Sequence, residues 1–261
     1  MVYETIQVQL QESICSLQID RPEANNTING QLVAECNHVL DKCEESANIV
    51  VLSGSPEVFC FGADFKAIAS ASRKGHEHED GPGPMYDLWH RLATGPYVTI
   101  SHVRGKANAG GIGFVAASDI VLASESAQFS LSELLFGLYP ACVLPFLIRR
   151  VGFQKAHYLT LMTQSISARH ASEWGLVDAF EPQSELLVRR HLQRLRRLSK
   201  MAIRRYKAYM SHISVPLQEL KSPAVAANRE MFSDPGNLQG ITRYVEQGLF
   251  PWEKSQVAAA D

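Results

Sequence analysis

Residues 104–123 of this chain read RGKANAGGIGFVAASDIVLA. Glycines cluster at the start of an apolar run, as they do where backbone N–H groups come close to a ligand. Between Gly110 and Ser118 the run contains no acid, base or nucleophile. The pattern predicts a helix that begins in a glycine loop and is followed by a buried strand. It also raises a question: which chemistry uses such a loop and leaves its centre without a reactive side chain?

The same order of strand, loop and helix extends to both sides of this stretch. PYVTISHVRG, before it, has the apolar run of a buried strand, and IVLASESAQFSL, at its end, predicts a strand with a hairpin-like return. MYDLWHRLAT and VLPFLIRRVG predict helices. Strands that alternate with helices indicate an α/β core, which we place at residues 1–195. Residues 196–261 predict a helical C-terminal region.

The N-terminal residues predict a hairpin followed by a capped helix. Apolar and polar residues alternate over Thr5–Asp20, and the turn falls at the sequence QES. The turn-rich loop RPEANNTING comes next, and either Asn29 or Thr27 can cap a helix that begins near Gln31. NIVVLSGS then predicts a buried strand, and VFCFGADF predicts a loop at a strand end.

Composition indicates an ordinary globular protein. The 261 residues are 46% hydrophobic and 20% charged, and the net charge of −2 gives no support to binding of nucleic acid or an anionic membrane. The N-terminus lacks the pattern of a signal peptide, and no apolar run approaches the roughly 20 residues of a membrane span. The five cysteines are odd in number and lack CxxC spacing, which predicts free thiols and a cytoplasmic location.

Five segments together resemble the crotonase (enoyl-CoA hydratase/isomerase) superfamily. They are RPEANNTIN, FCFGADF, GKANAGGIGF, AQFSLSELLFGLYP and ASEWGLVD, in the order expected of that family. The resemblance spans nearly the whole chain. It implies a spiral of repeated ββα units, a helical C-terminal trimerisation region, and trimers or pairs of trimers. It also implies that the backbone N–H groups of Ala63 and Gly110 form an oxyanion hole for a thioester enolate.

Small residues suit that role for a physical reason. An oxyanion hole needs donors about 2.7–3.1 Å from the developing charge, and a thioester approaches backbone N–H groups only where the neighbouring side chains are small. Ala63 and the pair Gly110 and Gly111 meet this requirement. If Gly110 also opens a helix, the helix dipole adds positive potential at the oxygen. The alternative is that the two glycines only permit tight packing of a helix on a strand.

The resemblance also answers the opening question in part. Hydratases of this family use two glutamates, of which the second corresponds to Glu133 and the first would stand at Gly113. Glu133 is therefore the best single candidate for acid–base catalysis. One carboxyl group can serve both steps of a syn elimination if apolar neighbours raise its pKa toward neutrality. The alternative is that Glu133 is a helix N-terminal acid that follows a cap at Ser130 or Ser132.

Two further residues have open alternatives. Asp64, next to Ala63, can assist the chemistry or can cap the helix predicted at DFKAIA. Tyr139 in GLYPAC can line an acyl pocket or can be a packed aromatic residue.

Within the superfamily the sequence looks most like the 3-hydroxy-3-methylglutaryl-ACP dehydratases of polyketide β-branching cassettes. The resemblance implies conversion of 3-hydroxy-3-methylglutaryl-ACP to 3-methylglutaconyl-ACP without a cofactor or metal, with CoA as a substitute carrier. It implies three partners, an acyl carrier protein, an HMG-synthase-like enzyme and a decarboxylase. A tertiary alcohol leaves easily, which suits the missing glutamate at Gly113. The alternatives are an acyl-CoA hydratase or isomerase of general metabolism, and a non-catalytic scaffold or RNA-binding protein of the same fold.

This substrate predicts two positively charged sites. A cation or a set of donors should meet the distal carboxylate, and the candidates are Lys66, Arg73, Lys74, His90 and Arg91, although each can also be a solvated surface charge. An acidic carrier protein should meet a basic face. The strongest basic run is Arg189, Arg190, Arg194, Arg196, Arg197, Lys200, Arg204, Arg205 and Lys207, which can equally be a solvated helix face with ion pairs. His76 and His78 lie in a polar loop that we expect to bind no metal.

Overall fold

The structure is a computed structural model that describes residues 2–73 and 81–254, with the side chains of residues 72 and 73 excepted. All five cysteines are buried free thiols, as predicted. In the described ranges no helix combines the length and the apolar character needed to cross a lipid bilayer.

The strands are short and most are buried. In chain order they are β1 (Ile6–Gln11), β2 (Ile14–Ile19), β3 (Ile49–Ser53), β4 (Val58–Cys60), β5 (Val98–Val103), β6 (Lys106–Asn108), β7 (Ile120–Ser124), β8 (Gln128–Ser130), β9 (Ile166–Ser167) and β10 (Ala179–Glu181).

These strands form two sheets. The larger has the order β1-β2-β3-β5-β7-β10, with β1 and β2 as an antiparallel hairpin and the other neighbours parallel. The smaller has the order β4-β6-β8-β9, in which only β8 and β9 are antiparallel. Three consecutive pairs, β3 with β4, β5 with β6 and β7 with β8, each give one strand to each sheet. This repetition is the two-strand part of the expected ββα spiral.

The helices lie between and after these strand pairs. In chain order they are α1 (Gly30–Ser46), α2 (Phe65–Arg73), α3 (Gly83–Thr94), α4 (Gly110–Ala117), α5 (Leu144–Val151), α6 (Phe153–Met162), α7 (Ala168–Glu173), α8 (Ser184–Leu195), α9 (Lys200–Ile213), α10 (Leu217–Ser233) and α11 (Pro235–Gln247).

Local sequence signals explain several of these boundaries. The hairpin turns at Glu12 and Ser13, inside the predicted QES. Of the two candidate caps, Asn29 is the one used, because its Oδ1 accepts a hydrogen bond of 2.9 Å from the Leu32 N–H at the start of α1. α4 begins at Gly110, as the glycine loop predicts, and almost all of its residues are buried, consistent with its lack of a polar face.

The predicted hairpin-like return in IVLASESAQFSL is wrong. β7 pairs in parallel with β5 and β10, whereas β8 pairs with β6 and β9 in the other sheet. The short turn at Glu125 and Ser126 therefore passes the chain from one sheet to the other. Sequence periodicity cannot distinguish the two arrangements, because both need a short turn between two strands.

The C-terminal helices complete one wall of the molecule near the ends of the smaller sheet. Met231 of α10 and Ile241 of α11 pack with Ile68 of α2 and with Phe136 and Leu138 in one apolar cluster. α8 ends at Leu195, the position that we assign as the end of the core. The division into residues 1–195 and 196–261 stays a prediction.

A buried ion pair attaches α9 to the larger sheet. Lys207 is 5% exposed, and its Nζ lies 2.5 Å from both carboxylate oxygens of Asp119. Asp119 also accepts hydrogen bonds from the N–H and the hydroxyl of Thr99 in β5. Burial lowers the pKa of Lys207, an effect that Asp119 opposes.

Removing the Lys207 charge is expected to destabilise the protein. Lys207→Met keeps the apolar stem but removes the cation that contacts the Asp119 carboxylate, which we expect to cost about 3 kcal/mol of unfolding free energy. Arg204→Met is the matched control, because Arg204 on the same helix pairs with Glu45 on the exposed surface and should cost less than about 1 kcal/mol. Urea unfolding at one protein concentration compares them. Equal losses in the two variants would contradict the assignment.

Candidate active site

A cleft of about 1940 Å³ lies beside the ends of the smaller sheet. Its walls are the loop after β4, the β6–α4 connection, residues 130–143, the start of α1, and the facing sides of α10 and α11. Of the residues predicted for the site, the ones that line this cleft are Ala63, Asp64, Lys66, Gly110, Glu133 and Tyr139.

The loops that carry Ala63 and Gly110 touch each other. Gly62 has φ +86°, and a Cβ there would lie 2.7 Å from the Ala109 Cβ and 2.8 Å from the Gly110 nitrogen. Glycine is therefore required at Gly62 both by its backbone conformation and by the closeness of the second loop. This contact brings the two proposed oxyanion donors to adjacent positions on the cleft wall.

Both proposed donors have available N–H groups. Within the described chain, neither the Ala63 nor the Gly110 N–H donates a hydrogen bond to another protein group. Ala109, the residue before Gly110, has φ 50° and ψ −122°, a conformation that alanine rarely adopts. Backbone strain of this kind tends to occur at functional sites. Gly110 also opens α4, so the positive end of the helix dipole points to the same place.

The alternative role, in which a glycine only permits tight packing of a helix on a strand, applies to Gly111. A Cβ on Gly111 would lie 2.2 Å from the carbonyl oxygen of Cys60, so Gly111 permits close contact between α4 and β4. Gly111 does not line the cleft, whereas Gly110 does. The two glycines therefore have different tasks.

Glu133 lines the same cleft as the first residue of a 3₁₀ helix, Glu133–Phe136. Its Oε2 is enclosed by protein and has no hydrogen-bond partner in the described residues. Burial raises the pKa of Glu133 to about 7, although its own backbone N–H and that of Ser132 lower it in part. Glu133 does follow a serine at a helix start, but Ser132 makes no capping hydrogen bond and the Ser130 hydroxyl donates to Asn108. A carboxyl group with this pKa can take up and release a proton near neutrality.

Trp89 occupies the space beside Gly113. A Cβ on Gly113 would lie 2.4 Å from the indole Cζ2 and 2.5 Å from Cε2. Trp89 on α3 is fully buried, makes edge-to-face contacts with Phe114 and Phe146, and lines the cleft. Position 113 therefore holds neither a carboxylate nor room for one.

Asp64 lines the cleft, but both of its oxygens are engaged. Oδ1 accepts from the Ala67 N–H at the start of α2, and Oδ2 accepts from Arg21 at 3.0 Å. The predicted cap is confirmed. Because both of its oxygens already accept hydrogen bonds from the protein, the geometry favours this structural role over acid–base chemistry.

The other predicted pocket residues divide into two groups. Lys66 and Tyr139 lie at the cleft and are exposed, with Tyr139 at 40%. His90 and Arg91 do not line it. Arg91 instead donates to Asn37, Asp41 and Glu44 of α1, and burial of His90 lowers its pKa. The cleft lining therefore gives no support to a pocket role for these two residues, which stays a prediction.

Some of the predicted cations lie outside the described residues. Lys74, His76 and His78 belong to the undescribed range 74–80, and the Arg73 side chain is likewise not described. The structure instead adds Lys106 and Arg229 to Lys66 as described cations that line the cleft. Arg229 lies on α10, where no sequence motif marked it.

The basic run on α8 and α9 makes many contacts within its own chain. Arg190 pairs with Glu181, Arg196 with Glu12 and Arg204 with Glu45. Lys200 donates to the backbone carbonyls of Cys43 and Ala47 at the end of α1. These contacts favour the alternative of a helix face with ion pairs over a free docking face.

Comparisons with known proteins agree with this geometry. The sequence profile of the Enoyl-CoA hydratase/isomerase family matches residues 9–255. Bacillaene synthase dehydratase PksH of Bacillus subtilis (strain 168) is 59% identical over 254 residues, which are 97% of this chain and 98% of that protein. Mevalonyl-coenzyme A hydratase sidH of Aspergillus fumigatus is 33% identical over 177 residues, 67% of this chain and 65% of that one.

A solved structure supports the fold. The crystal structure of a polyketide biosynthesis enoyl-CoA hydratase (pksH) from Bacillus subtilis superposes with a TM-score of 0.93 at 59% identity, and the match covers 96% of this chain and all of that one. A second structure, an enoyl-CoA hydratase/isomerase from Acinetobacter baumannii, gives a TM-score of 0.83 at 23% identity, and this match shows the fold alone. The predicted fold class is confirmed.

Proposed function

The chain belongs to the enoyl-CoA hydratase/isomerase family, and we propose that within it the protein is a dehydratase that converts 3-hydroxy-3-methylglutaryl-ACP to 3-methylglutaconyl-ACP in polyketide β-branching. The observation that carries this proposal is the Glu133 carboxyl group, the one enclosed and unpartnered carboxyl group among the described residues of the cleft wall. Glu133 has an enclosed oxygen without a partner and a pKa near 7, while Asp64 is held by Arg21 and the third carboxylate on the wall, Glu23, is exposed.

The chemistry needs one carboxyl group and two backbone donors. In the proposed reaction the Glu133 carboxylate removes a proton from C2, and the electron pair moves onto the thioester oxygen, where the N–H groups of Ala63 and Gly110 stabilise the enolate. The protonated Glu133 then gives that proton to the C3 hydroxyl on the same face. The C3–O bond breaks, the enolate collapses to a C2=C3 double bond, and water leaves. Because the elimination involves no net oxidation or reduction and Glu133 acts as both base and acid, the reaction needs no cofactor or metal.

A tertiary alcohol suits this arrangement. Departure of a hydroxyl from a carbon with three carbon substituents is eased, because partial positive charge there is better tolerated, so a second acid is less necessary. The absence of a carboxylate at Gly113 therefore fits a 3-hydroxy-3-methyl substrate. The relative named as a mevalonyl-coenzyme A hydratase supports this choice, since a mevalonyl group also carries a methyl group and a hydroxyl on C3.

We further propose that the substrate arrives on an acyl carrier protein, with the HMG-synthase-like enzyme before and the decarboxylase after this step. The relative named as a bacillaene synthase dehydratase supports a place in such a cassette. Lys106, an exposed cation on the cleft wall, offers positive charge to the phosphate of a phosphopantetheine arm. The basic run on α8 and α9 is a weaker candidate, since several of its members are paired.

Assembly and location are part of the same proposal. Met201, Tyr209 and Ile213 of α9 are more than half exposed, which supports burial against other subunits in a homotrimer or hexamer. The five buried free thiols support a reducing cytoplasmic location.

The distal carboxylate provides a prediction about substrate choice. We expect that Lys66→Gln or Arg229→Gln raises KM for 3-hydroxy-3-methylglutaryl-ACP about tenfold and changes KM for the neutral 3-hydroxy-3-methylbutyryl-ACP less than twofold. Arg91→Gln, a cation of the original set that lies off the cleft, is the control for both substrates. Equal effects of each variant on the two substrates would exclude both cations.

The test of the function uses 3-hydroxy-3-methylglutaryl loaded on an acyl carrier protein. Intact-protein mass spectrometry follows the loss of one water after mixing with the wild-type enzyme. Dehydration supports the proposal. No dehydration, together with turnover of a straight-chain 3-hydroxyacyl-CoA, would indicate instead an acyl-CoA hydratase or isomerase of general metabolism. Inactivity toward every thioester would favour a non-catalytic protein of this fold.

A further inference from the structure

Two residues of the cleft carry buried polar atoms that have no partner in the described chain. They are Nε1 of Trp89 and Oε2 of Glu133. A third such atom, Nε of Arg104, belongs to a residue outside the cleft wall. Buried donors and acceptors in native proteins are nearly always hydrogen-bonded, so two unpaired groups beside one cleft point to a ligand that satisfies both.

The indole of Trp89 is held in one orientation. Phe114 and Phe146 each present an edge-to-face contact, with ring centroids 5.9 and 6.0 Å away. Its Cε2–Cζ2 edge lies against the backbone of Gly113. Nε1 is bonded to Cε2, so packing against Gly113 fixes the position of the N–H group as well. A fixed, enclosed donor is preorganised for one acceptor.

The chemistry of the two groups defines what they bind. An indole N–H only donates, and it does not ionise. A carboxylate accepts, and a protonated carboxyl group donates. A group that serves both accepts a hydrogen bond from Trp89 and exchanges a proton with Glu133. A hydroxyl does both, whereas a second carboxylate would be repelled by the Glu133 carboxylate.

We propose that Trp89 is a further catalytic residue whose Nε1–H donates a hydrogen bond to the C3 hydroxyl oxygen of the substrate. The inference rests on the proposed function, because it names the group that faces the leaving oxygen in that reaction. As the C3–O bond breaks, negative charge grows on the oxygen until the proton from Glu133 arrives. The indole N–H stabilises that charge and keeps the hydroxyl in place, and it transfers no proton itself.

Trp89→Phe tests the role of the N–H group in turnover. Phenylalanine keeps an aromatic ring between Phe114 and Phe146 but has no donor. We expect kcat/KM for 3-hydroxy-3-methylglutaryl-ACP to fall about thirtyfold, mostly through kcat. The control is Trp174→Phe, since Trp174 packs on Tyr158 and does not line the cleft. An unchanged kcat/KM in Trp89→Phe would overturn the proposal.

A binding measurement separates this role from a general packing defect. In the Glu133→Gln background, which blocks turnover, we compare Kd for 3-hydroxy-3-methylglutaryl-pantetheine with Kd for 3-methylglutaryl-pantetheine, which lacks the hydroxyl. With Trp89 present the hydroxylated compound is expected to bind about tenfold more tightly, and with Trp89→Phe the two compounds are expected to bind equally. Equal loss of affinity for both compounds would mean that Trp89 only shapes the cleft.

The two proposals fail in different ways. Wild-type enzyme that does not dehydrate the carrier-bound substrate contradicts the proposed function, whatever the variants do. Wild-type enzyme that dehydrates it, with Trp89→Phe as active as wild type, contradicts only the role of Trp89.

A ¹⁵N spectrum of the indole N–H groups gives a third readout. The Trp89 signal should shift on addition of the hydroxylated compound and not on addition of the other, and equal shifts would count against the hydrogen bond.

Discussion

Glu133→Gln is expected to lower kcat for dehydration about a thousandfold or more. General acid–base catalysis by one positioned group contributes about 10²–10⁴-fold, and here the same carboxyl group removes the C2 proton and protonates the leaving hydroxyl. Glutamine has nearly the same shape and can do neither. Steady-state kinetics with 3-hydroxy-3-methylglutaryl-ACP measure the change, with KM expected to move little.

The pH dependence of kcat/KM tests whether Glu133 is the group that has to be ionised. Because the free enzyme must hold Glu133 as a carboxylate, kcat/KM of the wild type should rise with pH through an apparent pKa near 7. The residual activity of the variant should lack that limb. Glu23→Gln is the matched control, since Glu23 is an exposed carboxylate on the same cleft and should leave the rate and the profile unchanged.

The same substitution is expected to stabilise the protein above pH 7. The pKa of Glu133 is raised from 4.5 to about 7 in the folded state, so folding costs free energy once the unfolded chain ionises this group. This loss of unfolding free energy is small below pH 4.5, grows between pH 4.5 and 7, and reaches up to about 3 kcal/mol at higher pH. Glu133→Gln should therefore unfold at higher urea concentration than wild type at pH 8 and at nearly the same concentration at pH 4. A variant that keeps wild-type kcat and shows no such gain would remove Glu133 from the mechanism.

The second large effect is expected at Gly113. A methyl group there would lie 2.4–2.7 Å from three carbons of the Trp89 indole, which Phe114 and Phe146 prevent from moving aside. Gly113→Ala should lower the free energy of unfolding by about 3 kcal/mol, the upper part of the usual range for overpacking. Gly83→Ala in α3 is the control, because a Cβ there has nothing within 4 Å and should be neutral or slightly stabilising.

A double-mutant cycle assigns that loss to the contact with Trp89. Trp89→Leu removes the carbons that meet the new methyl group, at a cost of its own of about 3 kcal/mol for the cavity. Adding Gly113→Ala to this variant should then lower the unfolding free energy by much less than it does in the wild type. The difference between the two losses is a coupling free energy of about 2 kcal/mol between the two sites. Additive losses would show that Gly113 is needed for another reason, such as the backbone of α4. The coupling also predicts that Gly113→Glu alone does not restore a second catalytic carboxylate.

Local and tertiary effects can be separated at particular residues. The hairpin turn at Glu12 and Ser13 and the start of α4 at Gly110 follow from sequence, because each depends on interactions within a few residues. Sequence narrowed the cap of α1 to Asn29 or Thr27, and the structure shows that it is Asn29. The motifs around Ala63, Gly110 and Glu133 indicated the family, which the comparisons confirm. The catalytic roles of these three residues stay predictions.

Other features arise only when distant segments pack. In the sequence Trp89 is an ordinary apolar residue of a predicted helix. Only in the folded chain does its indole pack against Gly113 and line the cleft. Asp64 looks available beside Ala63 until Arg21, 43 residues away, takes one of its oxygens. His90 and Arg91 follow Trp89 directly but do not line the cleft, whereas Arg229 lines it from a helix without a motif.

By itself the sequence therefore determined the family, the order of strands and helices in the core, and Glu133 as the candidate acid–base group. Hydrophobic periodicity, helix caps and sequence motifs are short-range features. They can be recognised in the sequence because each depends on residues within one segment. Tertiary structure alone decided which sheet β8 joins, which carboxylates are free, and what fills the place beside Gly113. Those outcomes depend on close packing between segments far apart in the chain, where a single methyl group decides whether two side chains fit, and no periodic pattern encodes that.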